Sequence, residues 1–177
     1  MLEIETKFKV PSEKAIASAL KRLGARFEGR AEERDIYYYP PRGVSAVRLR
    51  SGSGRTVFTV KIFHKGNPGR GFKIRNEFEA EIKNEKAFQN ILKALGFKPA
   101  FRKEKKRLLY SWRGAKISVD RLPFIGTYLE IEGKKAAIRR AAKKLGLDMK
   151  NASASTYMDI FGRYKKLKKK PKLELVF

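Results

Sequence analysis

The chain contains no cysteine, one histidine (His64) and one glutamine (Gln89) among 177 residues. The lack of cysteine excludes disulfides, thiolate metal sites and cysteine nucleophiles. A lone histidine excludes a multi-histidine zinc centre built within one chain. Any metal here must rest on oxygen ligands, which favours magnesium, manganese or calcium. No apolar run approaches the length needed to cross a bilayer. Charged, strand-like sequence from Glu3 onward does not read as a secretory signal, so a cytoplasmic location is the expectation. Acids are scarce as well, 18 against 43 Lys and Arg, for a formal charge of +25. Such an excess calls for an anionic partner, from small phosphates to nucleic acid. Seven of the bases lie in the acid-free run from Arg163 to Lys172, so the rest are spread through the body of the chain.

What is present is alternation. With 42% hydrophobic residues, the chain has an ordinary globular composition. Period-two patterns predict strands near 2–9, 34–39, 44–51, 55–64, 72–83, 101–112, 115–121 and 127–133. Ser51 to Gly54 and Arg113-Gly114 fall where tight hairpins belong, whereas 65–71 reads as a longer loop. Helical spacing occurs four times. Ser12 caps a helix ending at Gly24, and Asn84 caps one ending at Gly96. A third helix runs from about Lys134 to Leu145, and a short fourth covers about 154–163. No linker-like shift divides the sequence, so residues 1–164 read as a single domain and 165–177 as a basic tail.

The few acids are sorted by strand face. Glu3 and Glu5 form one pair, Glu77, Glu79 and Glu81 a triplet, and Glu130 and Glu132 a second pair, with Asp120 on the strand before it. Residues i and i+2 of a strand share a side, about 6.8 Å apart. Like charges so close repel unless a cation or a basic neighbour neutralises them. Basic residues keep the same parity: Lys7; Arg48 and Arg50; Lys61; Lys73 and Arg75; Lys103, Lys105 and Arg107. The opposite faces are mainly apolar. Periodicity alone admits two arrangements. One is a sheet with an apolar core face and a solvated charged face. The other is a barrel turned inside out, its lumen charged and its apolar exterior covered by helices.

The N-terminal "EIETKF" resembles the E-x-E-x-K signature of the CYTH superfamily, the triphosphate tunnel metalloenzymes. The other motifs follow in the family's order: R-x-R (Arg48, Arg50), T-x-K (Thr59, Lys61), K-x-R-x-E-x-E (Lys73 to Glu79), K-x-R (Lys105, Arg107), Asp120 and E-x-E (Glu130, Glu132). "STYMDI" is similar to the family's S-Y-x-D-L segment. The resemblance is strongest to the branch of class IV adenylate cyclases (CyaB-like), with thiamine triphosphatases as neighbours.

The resemblance implies an α+β fold, an eight-stranded antiparallel tunnel whose charged lumen binds a triphosphate with Mg²⁺ or Mn²⁺. Lys7, Arg48, Arg50, Lys61, Lys73, Arg75, Lys105 and Arg107 would cradle phosphate. Glu3, Glu5, Asp120, Glu130 and Glu132 would face metal, and Glu3, Glu5 and Lys7 would carry the chemistry. The expected activity is a metal-dependent triphosphatase acting on a small triphosphate, and the alternative is an adenylate cyclase releasing pyrophosphate. A third reading is a non-catalytic polyanion or RNA binder, which the paired glutamates do not favour. No membrane partner is expected. Glu77, Glu79 and Glu81 read as partners that orient lumen arginines. His64 carries no chemical role, and Tyr37 to Tyr39 and Trp112 read as packing or rim residues.

Overall fold

The computed structural model describes residues 1–66, 69–168 and 174–177. Among them are nine strands, four α-helices and a 3₁₀ turn. In chain order they are β1 (Leu2–Val10), α1 (Glu13–Arg22), β2 (Arg26–Tyr38), β3 (Val44–Gly52), β4 (Arg55–Phe63), β5 (Lys73–Glu81) and α2 (Glu85–Ala94). Then come β6 (Pro99–Trp112), β7 (Ala115–Leu122), β8 (Gly126–Gly133), α3 (Lys135–Lys144), the 3₁₀ turn (Met149–Asn151), α4 (Tyr157–Lys168) and β9 (Glu174–Leu175). The sheet runs β2-β3-β4-β5-β1-β8-β7-β6, and β2 pairs again with β6, so eight antiparallel strands close into a ring. The expected α+β tunnel is the observed architecture.

Local chemistry explains most boundaries. The side chains of Ser12 and Asn84 accept from the N–H groups of Ala15 and Ala87, and an acid opens each helix (Glu13, Glu85), which suits the positive end of its dipole. Gly24 and Gly96 stop the same helices in the left-handed region. The β3–β4 hairpin turns through Ser53 and Gly54, both at positive φ, and β6–β7 through Arg113 and Gly114. One strand is longer than its pattern predicts. β2 starts at Arg26 rather than near 34, because its first half pairs with β6 around a bulge at Gly29. Residues 26–33 do not alternate cleanly, and pairing with a long neighbour overrides the weak local pattern.

The apolar faces point outward, and helices cover them. α1 and α3 pack Ile16, Leu20, Ile138, Ala141 and Ala142 onto Phe8, Ile117, Val119, Leu129 and Ile131. α2 sets Leu92 and Phe88 against Val47, Leu49 and Phe58. α4 lies elsewhere, with Tyr157 and Phe161 joined to Leu122, Ile125, Tyr128 and Phe101. Those partners sit where β7 ends, β8 begins and β6 begins, so α4 lies at one end of the tunnel. The predicted basic tail divides accordingly. Residues 165–168 belong to α4, and β9 adds a short parallel strand to β6 with Leu175 fully buried. Residues 169–173 of that tail lie outside the described residues. Among the described residues, no helix is long and apolar enough to cross a membrane.

Because Ile138 is fully buried between α3 and the sheet, Ile138→Ala should cost about 2–5 kcal/mol. Urea denaturation against the parent measures this, and a loss below 1 kcal/mol would mean that the helix does not cap that face.

Candidate functional site

The parity that hides apolar side chains under helices turns the charged ones into the ring. Lys7, Lys103, Lys105, Asp35, Glu5 and Asp120 are all almost fully buried. Buried charges must be paired, and here they form two circuits.

The larger circuit begins on β1. Glu5 Oε1 accepts from Lys7 Nζ at 2.8 Å and from Lys73 Nζ at 2.6 Å. Lys7 also reaches Glu130 at 3.2 Å, and Glu130 meets Arg107 at 3.3 Å. Arg107 forks onto Asp120 with two bonds of 2.6 Å, while Lys105 and the Tyr157 hydroxyl donate to the same carboxylate at 3.2 and 2.9 Å. Lys105 bridges to Glu33 at 3.0 Å, Glu33 meets Arg50 at 2.9 Å, and Arg50 forks onto Asp35 at 2.7 and 3.0 Å. Lys103 closes on Asp35 at 2.8 Å. Five acids face six bases in this circuit.

The smaller circuit holds Glu3, Glu77 and Glu79 against Lys61 and Arg48. Lys61 Nζ lies 2.7 Å from Glu3 and 3.0 Å from Glu77. Arg48 donates to Thr59 at 2.9 Å and lies 3.5 Å from Glu79. The Nε of Arg48 is buried without a hydrogen-bond acceptor among the described residues. One circuit therefore has one base in excess and the other one acid, so together they balance, and Glu132 stands beside them as a further acid. The lumen carries no net positive charge, and the +25 of the chain lies outside it.

Burial and charge move these groups in different directions. For Glu33 and Asp120, burial pushes the carboxyl up, but the surrounding cations outweigh it and hold each at about 2. The Glu5, Asp35 and Glu130 carboxyls are lowered by the same balance. Burial, together with Arg107, lowers Lys105 to about 8. Glu77 and Glu132 go the other way. Burial raises both, and neighbouring carboxylates add to it, Glu3 for Glu77 and Glu3, Glu130 and Glu5 for Glu132. Among the described residues Glu132 has one ion-pair partner, the distant Lys116 at 3.7 Å. The region around Glu3, Glu77 and Glu132 is thus an acid-rich pole with incomplete neutralisation.

Seven of the eight expected phosphate contacts, Lys7, Arg48, Arg50, Lys61, Lys73, Lys105 and Arg107, meet in this lumen. Arg75 does not join an acid among the described residues; its guanidinium stacks on Phe63 at 4.7 Å and donates to the Ile74 carbonyl. Of the expected metal-facing acids, Glu5 and Glu132 face each other across β1 and β8. Asp120 is instead saturated by Arg107, Lys105 and Tyr157, a geometry that orients cations. Among the described residues no three carboxylates converge on one point as the side chains stand. The Lys61 ammonium already sits between Glu3 and Glu77, where a cation belongs. Glu77 and Glu79 do orient Arg48 and Lys61, whereas Glu81 has no ion pair among the described residues and is exposed.

Sequence reading missed Glu33, Asp35, Tyr37 and Tyr157 as site residues. Tyr37 is not a packing or rim residue; its hydroxyl accepts from Lys103 at 3.2 Å and lies 3.4 Å from Asp35. Glu33, Asp35 and Tyr37 share one parity in "EERDIYY", a signal that starting the strand at 34 cut short. Tyr157 sits among the Lys7, Lys103 and Lys105 ammoniums, with its ring centroid 5.2, 5.2 and 6.0 Å from them.

A CYTH domain model matches residues 1–157. The chain belongs to the CYTH family. Within it, the chain is 29% identical over 153 residues to a Methanocaldococcus jannaschii protein named "Putative adenylate cyclase MJ0240", covering 82% of this chain and 84% of that one. The CYTH fold recurs in the solved Pyrococcus horikoshii protein PH1012, at 26% identity and TM-score 0.79 over 89% of this chain and 98% of that one. It recurs also in HpAC1 of Hippeastrum, at 17% identity and TM-score 0.61 over 92% and 95%. That last likeness speaks to fold alone.

The buried circuit yields a pH prediction. Glu33 is held at about 2, so its contribution to stability is fully present above the ordinary carboxylate range and is lost as pH falls from about 4 to 2. Glu33→Gln should lower stability at pH 7 by about 3 kcal/mol, because Lys105, Arg50 and Arg107 stay buried. The gap to the parent should close as the pH approaches 2. Urea titrations across that range read it, and a gap independent of pH would refute the ion-pair assignment.

Proposed function

We propose that this CYTH protein is a divalent-metal-dependent hydrolase of a small triphosphate, either tripolyphosphate or the triphosphate end of a nucleotide or of thiamine. The carrying observation is the polarity of the lumen, with a surplus of buried bases at one pole and under-neutralised carboxylates at the other. A triphosphate brings about four negative charges, which forked arginines and point-charge lysines match well. A lumen without net positive charge cannot take those charges alone, so the anion must enter with divalent cations. The unsatisfied Arg48 Nε has the chemistry to meet one phosphate oxygen.

The acid-rich pole fits the cation. Glu3 and Glu132 of that pole would hold Mg²⁺ or Mn²⁺, with Glu5 opposite Glu132 turning to the ion from Lys7 and Lys73, as hard carboxylate oxygens suit either ion, and Glu130 stands beside them. The ion, when bound, neutralises phosphate charge and activates water. The protein's own part is placement. Phosphoryl transfer needs positioning and charge neutralisation far more than covalent help. Arg50 and Arg107 are held by carboxylate forks at Asp35 and Asp120, so their remaining N–H groups are oriented before substrate arrives. Lys7, Lys73 and Lys105, each held by a carboxylate, add point positive charge to the lumen. A cytoplasmic location goes with this reading, since nucleotides and magnesium occur there together.

Adenylate cyclisation is the second reading, favoured by the name of the M. jannaschii relative. The same cradle would hold ATP with its own 3′-hydroxyl aimed at the α-phosphorus. The dominant triphosphatase activity described for HpAC1 shows that a protein of this fold can hydrolyse.

Incubation with ATP, tripolyphosphate or thiamine triphosphate plus Mg²⁺ or Mn²⁺, followed by product analysis, decides between them. Release of orthophosphate is expected, and cyclic AMP with pyrophosphate would overturn the hydrolase reading. Glu5→Gln keeps the shape of the side chain and should lower turnover about 100-fold with an unchanged circular dichroism spectrum; full activity would remove the metal assignment. Calorimetry should find tripolyphosphate bound at least ~10-fold more weakly in EDTA than in Mg²⁺, the loss of one favourable charge contact.

A further inference from the structure

Since the lumen carries no net positive charge, the +25 excess needs an explanation of its own. Its most concentrated structured expression is α3, whose sequence KAAIRRAAKK holds five bases and no acid. The helix buries Ala137, Ile138, Ala141 and Ala142 against the sheet. Arg139, Arg140, Lys143 and Lys144 are exposed on its other side, as is Lys134 before it. None of these five makes an ion pair among the described residues, although Arg139 rests on the Phe72 ring at 5.4 Å. Exposed Lys86, Lys93 and Lys98 around α2 are likewise without an ion pair among the described residues, so what sets α3 apart is the density of its bases, five in ten residues with no acid.

α3 also departs from the rule its neighbours keep. α1 and α2 open with a capping Ser or Asn followed by Glu, whereas α3 opens with Lys134 and Lys135, without a side-chain cap and without an acid in its first turn. Cations at the positive end of a helix dipole oppose folding. A local rule broken with no gain in the isolated fold marks a position used for something else.

We propose that the solvent face of α3 is a docking surface for B-form duplex DNA, held through its phosphates. Successive helical residues point about 100° apart. The Arg139–Lys143 stripe and the Arg140–Lys144 stripe therefore splay to the two sides of the helix. The B-form major groove admits an α-helix and flanks it with phosphates on both walls, whereas the A-form major groove of RNA is too narrow for this. The face carries no aromatic side chain on which an unpaired base would stack. Nor does it carry a large apolar residue to enter a lipid boundary, its one small apolar position being Ala136. Contacts limited to phosphates make the binding independent of sequence.

Fluorescence anisotropy of a short labelled mixed-sequence DNA duplex with the full chain tests this. The logarithm of affinity should fall linearly with the logarithm of salt, with a slope of about −4 for four to five phosphates. Arg140→Gln with Lys143→Gln and Lys144→Gln should weaken binding at least ~10-fold and reduce the magnitude of the slope by about 3. A control removes the same charge from exposed lysines around α2, through Lys86→Gln, Lys93→Gln and Lys98→Gln, and should change affinity less than about twofold. Both triple variants should melt with the parent, since none of these side chains is buried. Saturating the tunnel with tripolyphosphate at constant ionic strength should leave DNA binding unchanged, which separates this result from the triphosphatase assay. Equal losses in the two variants would reduce the effect to net charge and overturn the proposal. So would no binding, or tighter α3-dependent binding to an RNA duplex or to phosphatidylserine vesicles.

Discussion

Sixteen charged side chains facing one another inside a closed ring must neutralise each other, and the rest of this CYTH structure follows from that requirement. An unpaired charge in such a place is expensive. Each lumen strand therefore contributes to a balanced set, and the balance is met between strands more often than within one. Arg107 of β6 is held by Asp120 of β7, and Arg50 of β3 by Asp35 of β2. The ring is thus closed electrostatically as well as by backbone pairing.

This balance has two consequences. Inside, a polyanion can enter only by exchanging partners with resident carboxylates or by bringing cations. Ion pairs also keep the basic groups oriented, at the cost of desolvation, so buried pairs of this kind are better read as devices for placement than for stability. Outside, the surface is left strongly positive, most densely along α3.

Much of this was legible in the sequence. Strand parity had already separated Glu3, Glu5, Lys7, Arg48, Arg50, Lys61, Lys105 and Arg107 from the apolar positions, because a side-chain period of two leaves no other way to bury one face. The capped helices α1 and α2 announced their starts through Ser12 and Asn84. What could not be read was the first half of β2, where "RFEGRAEE" has neither clean alternation nor apolar weight, and Glu33 was missed with it. Tyr157 was visible only as part of a motif, since nothing in a helix's own spacing tells that its tyrosine will lie among three ammonium groups.

The amino-acid sequence by itself determined which side chains share a face, because alternation along a strand is a local property of the backbone. Only the tertiary structure decided which face became the inside. That choice depends on where β2 meets β6 to close the ring and on helices arriving to cover the apolar exterior, both pairings between residues far apart in the chain. The same closure assigned each carboxylate its cation and left Glu132 with too little, a difference of a few ångströms that no spacing in the sequence encodes.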